Sequence, residues 1–144
     1  MKHIWSILCK RSVIDNETNL VSLFDSLEQL DITVDKNKLG AEKKITIPID
    51  FEIVSFWVDN NTNKDREFEI RINLFDPNNK KLSTLSGRHK MKKGIKRLRN
   101  RAKIKGLILT TEGRYLFKVK IKEGNKYKKV AEIPLDIDIK YKLL

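Results

Sequence analysis

From Arg97 to Lys105 a cation stands at every second position: Arg97, Arg99, Arg101, Lys103 and Lys105. Leu98, Asn100, Ala102 and Ile104 alternate with them. On an extended strand, successive side chains point to opposite faces, so these cations form one row spaced about 6.6–6.8 Å apart. That spacing is near the phosphate repeat of an extended single strand, so the row can track a polyanion through Coulomb attraction and counterion release. Arg88, Lys90, Lys92, Lys93 and Lys96 precede it, and no acid interrupts the 88–105 segment. The candidate polyanion-binding residues are Arg88, Lys90, Lys92, Lys93, Arg97, Arg99, Arg101, Lys103 and Lys105. A solvated face accounts for the same charges, because lysines outnumber arginines 23 to 8 and Asn and Ile are abundant, a compositional bias that needs no partner. Single-strand binders interleave cations with base-stacking aromatics, and none lies in this segment, which favours phosphate or purely electrostatic contact.

Other reactive side chains are sparse. Cys9 alternates with Ile7 and Trp5 and reads as a buried thiol; a catalytic thiolate needs a nearby histidine or helix N-terminus. His3 is the one candidate partner, placed on the same face by strand alternation. His89 stands among cations that depress its pKa, so it is a poor base and a poor metal ligand. Asp136 and Asp138 lie one pleat apart with Lys140 following, a charge ladder more than a cation site. Asp59 and Asp65 flank an Asn-rich loop carrying acceptor oxygens. The six glycines hold neither phosphate-loop nor dinucleotide spacing, and no serine sits at nucleophile-elbow spacing. Neither a catalytic constellation nor a cofactor or metal site is encoded. One cysteine excludes an internal disulfide.

The elements that carry these residues follow from period-two patterning. The 144 residues suit a single domain, residues 1–144, and 40% hydrophobic content is enough for a core despite 35% charged residues and a net charge of +12. The first 72 residues carry 10 basic and 13 acidic side chains, the last 72 carry 21 and 6. Arg66 to Phe75 places Phe68, Ile70, Ile72 and Leu74 on one face, and Asp76-Pro77-Asn78-Asn79 reads as a type I turn. Arg114 to Lys122 and Tyr127 to Ile139 form a hairpin around Glu123–Lys126, with Pro134 implying an edge or a bulge. Ile49 to Val58 is apolar on both faces, as a central strand should be. His3–Lys10 and Leu20–Phe24 read as paired strands across the turn Asp15–Thr18, and Leu27–Val34 as a further strand or a short helix. Asp35–Lys44 reads as an exposed loop. With the basic ribbon, about eight strands and little helix predict an all-β, two-layer antiparallel sandwich. The uncharged run Ile4–Cys9 is too short for a membrane span or signal-peptide core.

Thr111-Glu112-Gly113-Arg114-Tyr115-Leu116-Phe117 resembles the tyrosine-corner stretch opening strand F of immunoglobulin-like domains, with Thr111 in place of the Asp and Phe117 in place of the Cys. Trp57 matches the packing tryptophan of strand C in that resemblance. The whole chain also resembles a family of small bacterial proteins with no settled activity. That likeness rests on Trp5-Ser6-Ile7-Leu8-Cys9, Asp15 with Ser22-Leu23-Phe24, Ser55-Phe56-Trp57, Asp76-Pro77, Gly113-Arg114-Tyr115 and Ile133-Pro134. It implies an immunoglobulin-like β-sandwich and a cytoplasmic location, and supplies no mechanism.

Two functional expectations follow. One is a non-catalytic binding or interaction module meeting a protein partner at an edge strand or the basic face. The other is a nucleic-acid- or polyanion-associated protein that contacts phosphates through the 88–105 segment. An enzyme using Cys9 is a distant third.

Overall fold

The computed structural model describes residues 1–38 and 44–143. Nine strands are formed among them: β1 (Lys2–Ile14), β2 (Val21–Ser26), β3 (Gln29–Asp35), β4 (Ile45–Val58), β5 (Arg66–Phe75), β6 (Lys81–Met91), β7 (Arg97–Leu109), β8 (Gly113–Glu123) and β9 (Lys126–Lys142). One 3-10 turn, Lys36–Lys38, follows β3. The strands make a four-stranded sheet in the order β2-β1-β4-β7 and a five-stranded sheet in the order β3-β9-β8-β5-β6. All pairings are antiparallel except β3 with β9, which run parallel. No helix among the described residues is long and apolar enough to cross a membrane.

Alternation explains how the layers meet. Phe51, Ile53 and Trp57 of β4 and Leu107 and Leu109 of β7 point inward from one sheet. Phe68, Ile70, Ile72 and Leu74 of β5, Tyr115, Phe117 and Val119 of β8, and Leu135 and Ile137 of β9 meet them from the other. Phe51 and Phe117 touch edge to face across the layers, with ring centroids 5.8 Å apart. The expected strand faces at 66–75, 114–122 and 97–105 are present, and β4 is central, flanked by β1 and β7.

Three expectations need correcting, and the alternative left open at Leu27–Val34 is decided. The strands number nine, because Lys81–Met91 is also a strand; its apolar residues Leu82, Leu85 and Met91 break period two, as suits an edge with little to bury. Leu27–Val34 resolves as strand, β3. Pro134 is on neither an outer strand nor a bulge: β9 lies between β8 and β3, but β3 pairs only from Asp136 onward, so the proline's missing N–H falls where β9 has no neighbour on that side. Trp57 sits on β4, in the sheet opposite β8, whereas the strand beside β8 is β5; its indole N–H donates to Asn100 Oδ1 at 2.7 Å on β7. In the expected loop Asp35–Lys44, residues 39–43 lie outside the described residues.

The turns that close the sandwich are cross-braced. The Tyr115 hydroxyl accepts hydrogen bonds from the Thr110 and Thr111 N–H groups at 2.9 and 3.1 Å and donates to the Thr111 carbonyl at 2.5 Å. Asp76 Oδ1 accepts from the N–H groups of Asn78 and Lys80, and Oδ2 accepts from the Thr110 hydroxyl at 2.8 Å. Pro77 packs so closely on Gly113, at φ +139°, that a Cβ there would lie 2.9 Å from the ring. The segments Asp76-Pro77 and Gly113-Arg114-Tyr115 therefore meet in one structural brace between the β5–β6 turn and the β7–β8 loop.

Burial alone would raise the Asp76 carboxyl, but the Lys80 N–H, the Thr110 hydroxyl, the Asn78 N–H and the Lys80 charge outweigh it and hold its pKa below the ordinary 3.8. A carboxyl depressed on folding stabilises the native state fully above its unfolded pKa, and that contribution is lost as pH falls through the lower folded value. Urea midpoints measured below about pH 4 should therefore fall steeply in the wild type and more gently in Asp76→Asn. Identical acid limbs would remove Asp76 from the brace.

Candidate basic edge

The basic segment divides over three elements. Arg88 and Lys90 are on β6, Lys92, Lys93 and Lys96 in the β6–β7 connection, and the alternating row on β7. Among the described residues both strands end their sheets, β6 pairing only with β5 and β7 only with β4. On β7, Leu98, Asn100, Ala102 and Ile104 turn inward and the cations outward, until Gly106, at φ +78°, reverses the phase so that Leu107 and Leu109 face the core. Opposite it, the β4–β7 register shifts between Ile47 and Asp50, a β-bulge.

Three kinds of surroundings separate these cations. Lys90 Nζ lies 3.2 Å from Glu67, its register partner on β5, and Arg88 stands opposite Glu69. Glu67 and Glu69 therefore serve β6 and cannot offset the β7 row. Arg99 and Arg101 reach back over the sheet. The Arg99 guanidinium donates to the Asn19 carbonyl and side chain at 2.7 and 2.8 Å, and Arg101 approaches the Ser12 carbonyl at 3.4 Å. Both partners belong to the β1–β2 hairpin. β1 leaves β4 after Cys9, and Glu52 Oε2 and Oε1 accept from the Ser12 N–H and hydroxyl at 2.6 and 3.0 Å. The hairpin thus folds across the outer face of the four-stranded sheet and buries Cys9, Glu52 and Val54 beneath it. Arg97, Arg101, Lys103 and Lys105 are exposed, along with Lys92, Lys93 and Lys96, and Arg99 alone of the row is half-buried. Of the ten cations between Arg88 and Lys105, Lys90 alone forms an ion pair among the described residues.

Between the two edge strands the sandwich is open. A cavity of about 340 Å³ is walled by Phe51, Ile72, Leu74, Phe117, Ile104 and Leu107, with Ser83 and Leu85 of β6 on one rim and Lys103 and Lys105 of β7 on the other. A second, of about 250 Å³, continues it past Ile70 and Ala102 to His89 and Asn100, sharing Ile72, Leu85 and Lys103. Together they make a groove with an apolar floor. Sequence patterning found its basic rim but not the groove, because the opposite rim is β6.

The remaining candidates have structural occupations. The β1–β4 register shifts between His3 and Trp5, so His3 faces inward while Cys9 lies on the outer face; the expected Cys9–His3 alignment is overturned by that irregularity. Burial, then the neighbouring Glu52 carboxylate, push the Cys9 thiol up, against nucleophilic use. His3 Nε2 meets the Ser6 hydroxyl at 2.7 Å, and Ser6 meets the fully buried Ser55 hydroxyl at 2.6 Å. This serine–histidine chain, invisible to motif spacing, satisfies polar groups inside the sandwich. Burial lowers the pKa of both His3 and His89. Asp136 is held by Arg114 at 2.8 and 3.1 Å and Asp138 accepts from Gln29 at 2.9 Å. Asp59 pairs with Arg66 at 2.9 Å, and Asp65 accepts from the Lys93 N–H at 2.8 Å. No group of three His, Cys, Asp or Glu side chains is placed to hold a metal ion among the described residues. Comparison of the chain with known family models and with curated proteins finds no match.

The division of the row has a measurable consequence. Arg99→Ala should cost about 0.5–1.5 kcal/mol in denaturant unfolding, as its hydrogen bonds to the hairpin are lost. Arg101→Ala, exposed and 3.4 Å or more from Ser12, should cost less than that. Lys103→Ala and Lys105→Ala should stay within about 0.5 kcal/mol of wild type. Equal costs for all four would contradict this division.

Proposed function

We propose that the chain is an immunoglobulin-like β-sandwich that acts as a non-catalytic binding module and engages an anionic partner along the open edge between β6 and β7. The single observation carrying this is a run of cations, of which Lys90 alone is ion-paired among the described residues, beside an apolar groove. Glu52 and Asp50 stand opposite Lys103 and Lys105 but are not in contact with them as ion pairs. Like charges about 6.6–6.8 Å apart repel and favour an opposite charge from outside. The immunoglobulin-like reading is supported by the Tyr115 brace at the start of β8 and by the strand order β3-β9-β8-β5-β6, in which β3 joins the last strand in parallel. Its tryptophan and disulfide hallmarks are missing: Trp57 is on β4, and Phe117 is where the second cysteine would stand.

The test is retention of labelled poly-glutamate, followed by fluorescence anisotropy as salt is raised. Affinity should fall steeply with salt, and Lys103→Glu with Lys105→Glu should weaken it about tenfold or more. Salt-independent binding, or binding untouched by those changes, would contradict the edge as the seat.

A second reading, nucleic-acid association, is favoured by a different place from the 88–105 segment. On the outer face of the five-stranded sheet, the Tyr127 ring lies 4.2 Å from the Arg71 guanidinium and 5.3 Å from Lys122 Nζ. The Phe75 ring lies 4.2 Å from Lys118 Nζ. Aromatic rings among cations are the arrangement on which unpaired bases stack. For a single-stranded oligonucleotide, Tyr127→Ala should weaken binding about tenfold, consistent with about 1–3 kcal/mol per stacked base. An unchanged affinity would eliminate that face.

A further inference from the structure

The groove's shape narrows what the anionic partner can be, an inference that rests on the binding-module reading above. On β7 it runs from Asn100 to Ile108, and on β6 from Ser83 to His89. At about 3.3 Å per residue, that β7 span is roughly 26 Å long, the reach of about eight residues of extended chain. Among the described residues β7 has no neighbour on its outer side, so alternate backbone N–H and C=O groups point outward along this length, as on any antiparallel edge strand. Constant-type sandwiches place a further strand beside the corresponding one. Here the short connection 92–96 leads from β6 directly into β7, and no strand among the described residues fills that place.

We propose that the groove receives an acidic, extended peptide segment of a partner protein, which adds as a strand to the free edge of β7. Its alternate apolar side chains enter the two cavities beside Ile104 and Ala102, against Phe51, Ile72 and Leu85. Its intervening Asp and Glu side chains lie on the outer face beside Arg101, Lys103 and Lys105. Backbone hydrogen bonds supply affinity and the side-chain alternation supplies selectivity, as in other strand additions. Charge complementarity selects this occupant. Neither β6 nor β7 contains an acid; the β7 rim is basic, and the β6 rim, Ser83 to Gly87 and His89, brings no carboxylate to oppose an acidic chain. A second copy of the chain, at net +12, would bring cations against cations. Single-stranded nucleic acid would find no Phe, Tyr or Trp ring on either edge strand to stack on, and His89 is already stacked on Phe68. The cations that repel edge-to-edge pairing with another copy are the ones that admit an acidic strand.

The test uses the full chain and a fluorescently labelled pool of ten-residue peptides, with Asp or Glu at odd positions and Val, Ile, Leu or Thr at even ones. The pool should bind, with chemical-shift changes along the β7 amides. Lys103→Glu with Lys105→Glu should weaken it at least tenfold, as should Leu85→Arg, which occupies the groove from an exposed position. Lys126→Glu with Lys128→Glu, an equal change of net charge on exposed β9 positions, should not. Equal binding of a pool with the same residues in blocks rather than alternation overturns strand addition and leaves the anionic-partner reading intact. So does tight binding of a single-stranded oligonucleotide with none of the peptides, or self-association that shifts the same β7 amides. Failure of peptides, poly-glutamate and oligonucleotides alike overturns both.

Discussion

Like charges at every second position of one strand constrain where that strand can go. Each cation desolvated by a second neighbouring strand would need its own carboxylate. Asp50 and Glu52 of β4 already stand opposite Lys105 and Lys103, and the carboxylates of β5 are opposite Arg88 and Lys90 on β6. β7 therefore closes the four-stranded sheet with one side against β4 and the other open. Its inward residues are modest in size, Ala102 and Ile104 among them, so the seam between the layers is left partly unfilled at that edge. The open groove, the exposed lysines and the unfilled strand position share this single origin.

The β1–β2 hairpin is the internal answer to part of that charge. It covers the middle of the outer face, giving the half-buried Arg99 carbonyl and amide oxygens in place of water and bringing Ser12 within 3.4 Å of Arg101, which stays exposed. Glu52, buried under the same hairpin, is occupied by Ser12. The far end of the row gains nothing from this arrangement. Polarity thus runs along β7: the part under the hairpin is tied into the fold, while Lys103 and Lys105 face solvent next to the larger cavity.

Period two made the strands with a buried face legible, because Phe68, Ile70, Ile72 and Leu74, or Tyr115, Phe117, Val119 and Ile121, each mark one side of a sheet. It could not reveal β6, whose Leu82, Leu85 and Met91 do not alternate, and without β6 the groove has only one wall. It also misplaced His3 relative to Cys9, since the register irregularity before Trp5 turns the chain over by one pleat without any proline or glycine to announce it. The basic row was legible as a row. Its division was not, because Asn19 and Ser12 are brought to Arg99 and Arg101 only by the hairpin crossing the sheet.

The central claim is that the outer edge of β7 is open in the isolated chain. Residue-resolved amide hydrogen exchange on the free protein tests it most directly. Along 100–108, amides directed at β4 should be strongly protected while those alternating with them exchange nearly as fast as in a flexible loop, against uniform protection along central β4 and β8. Uniform protection of every β7 amide would mean that another strand already covers this edge, and the account would be wrong.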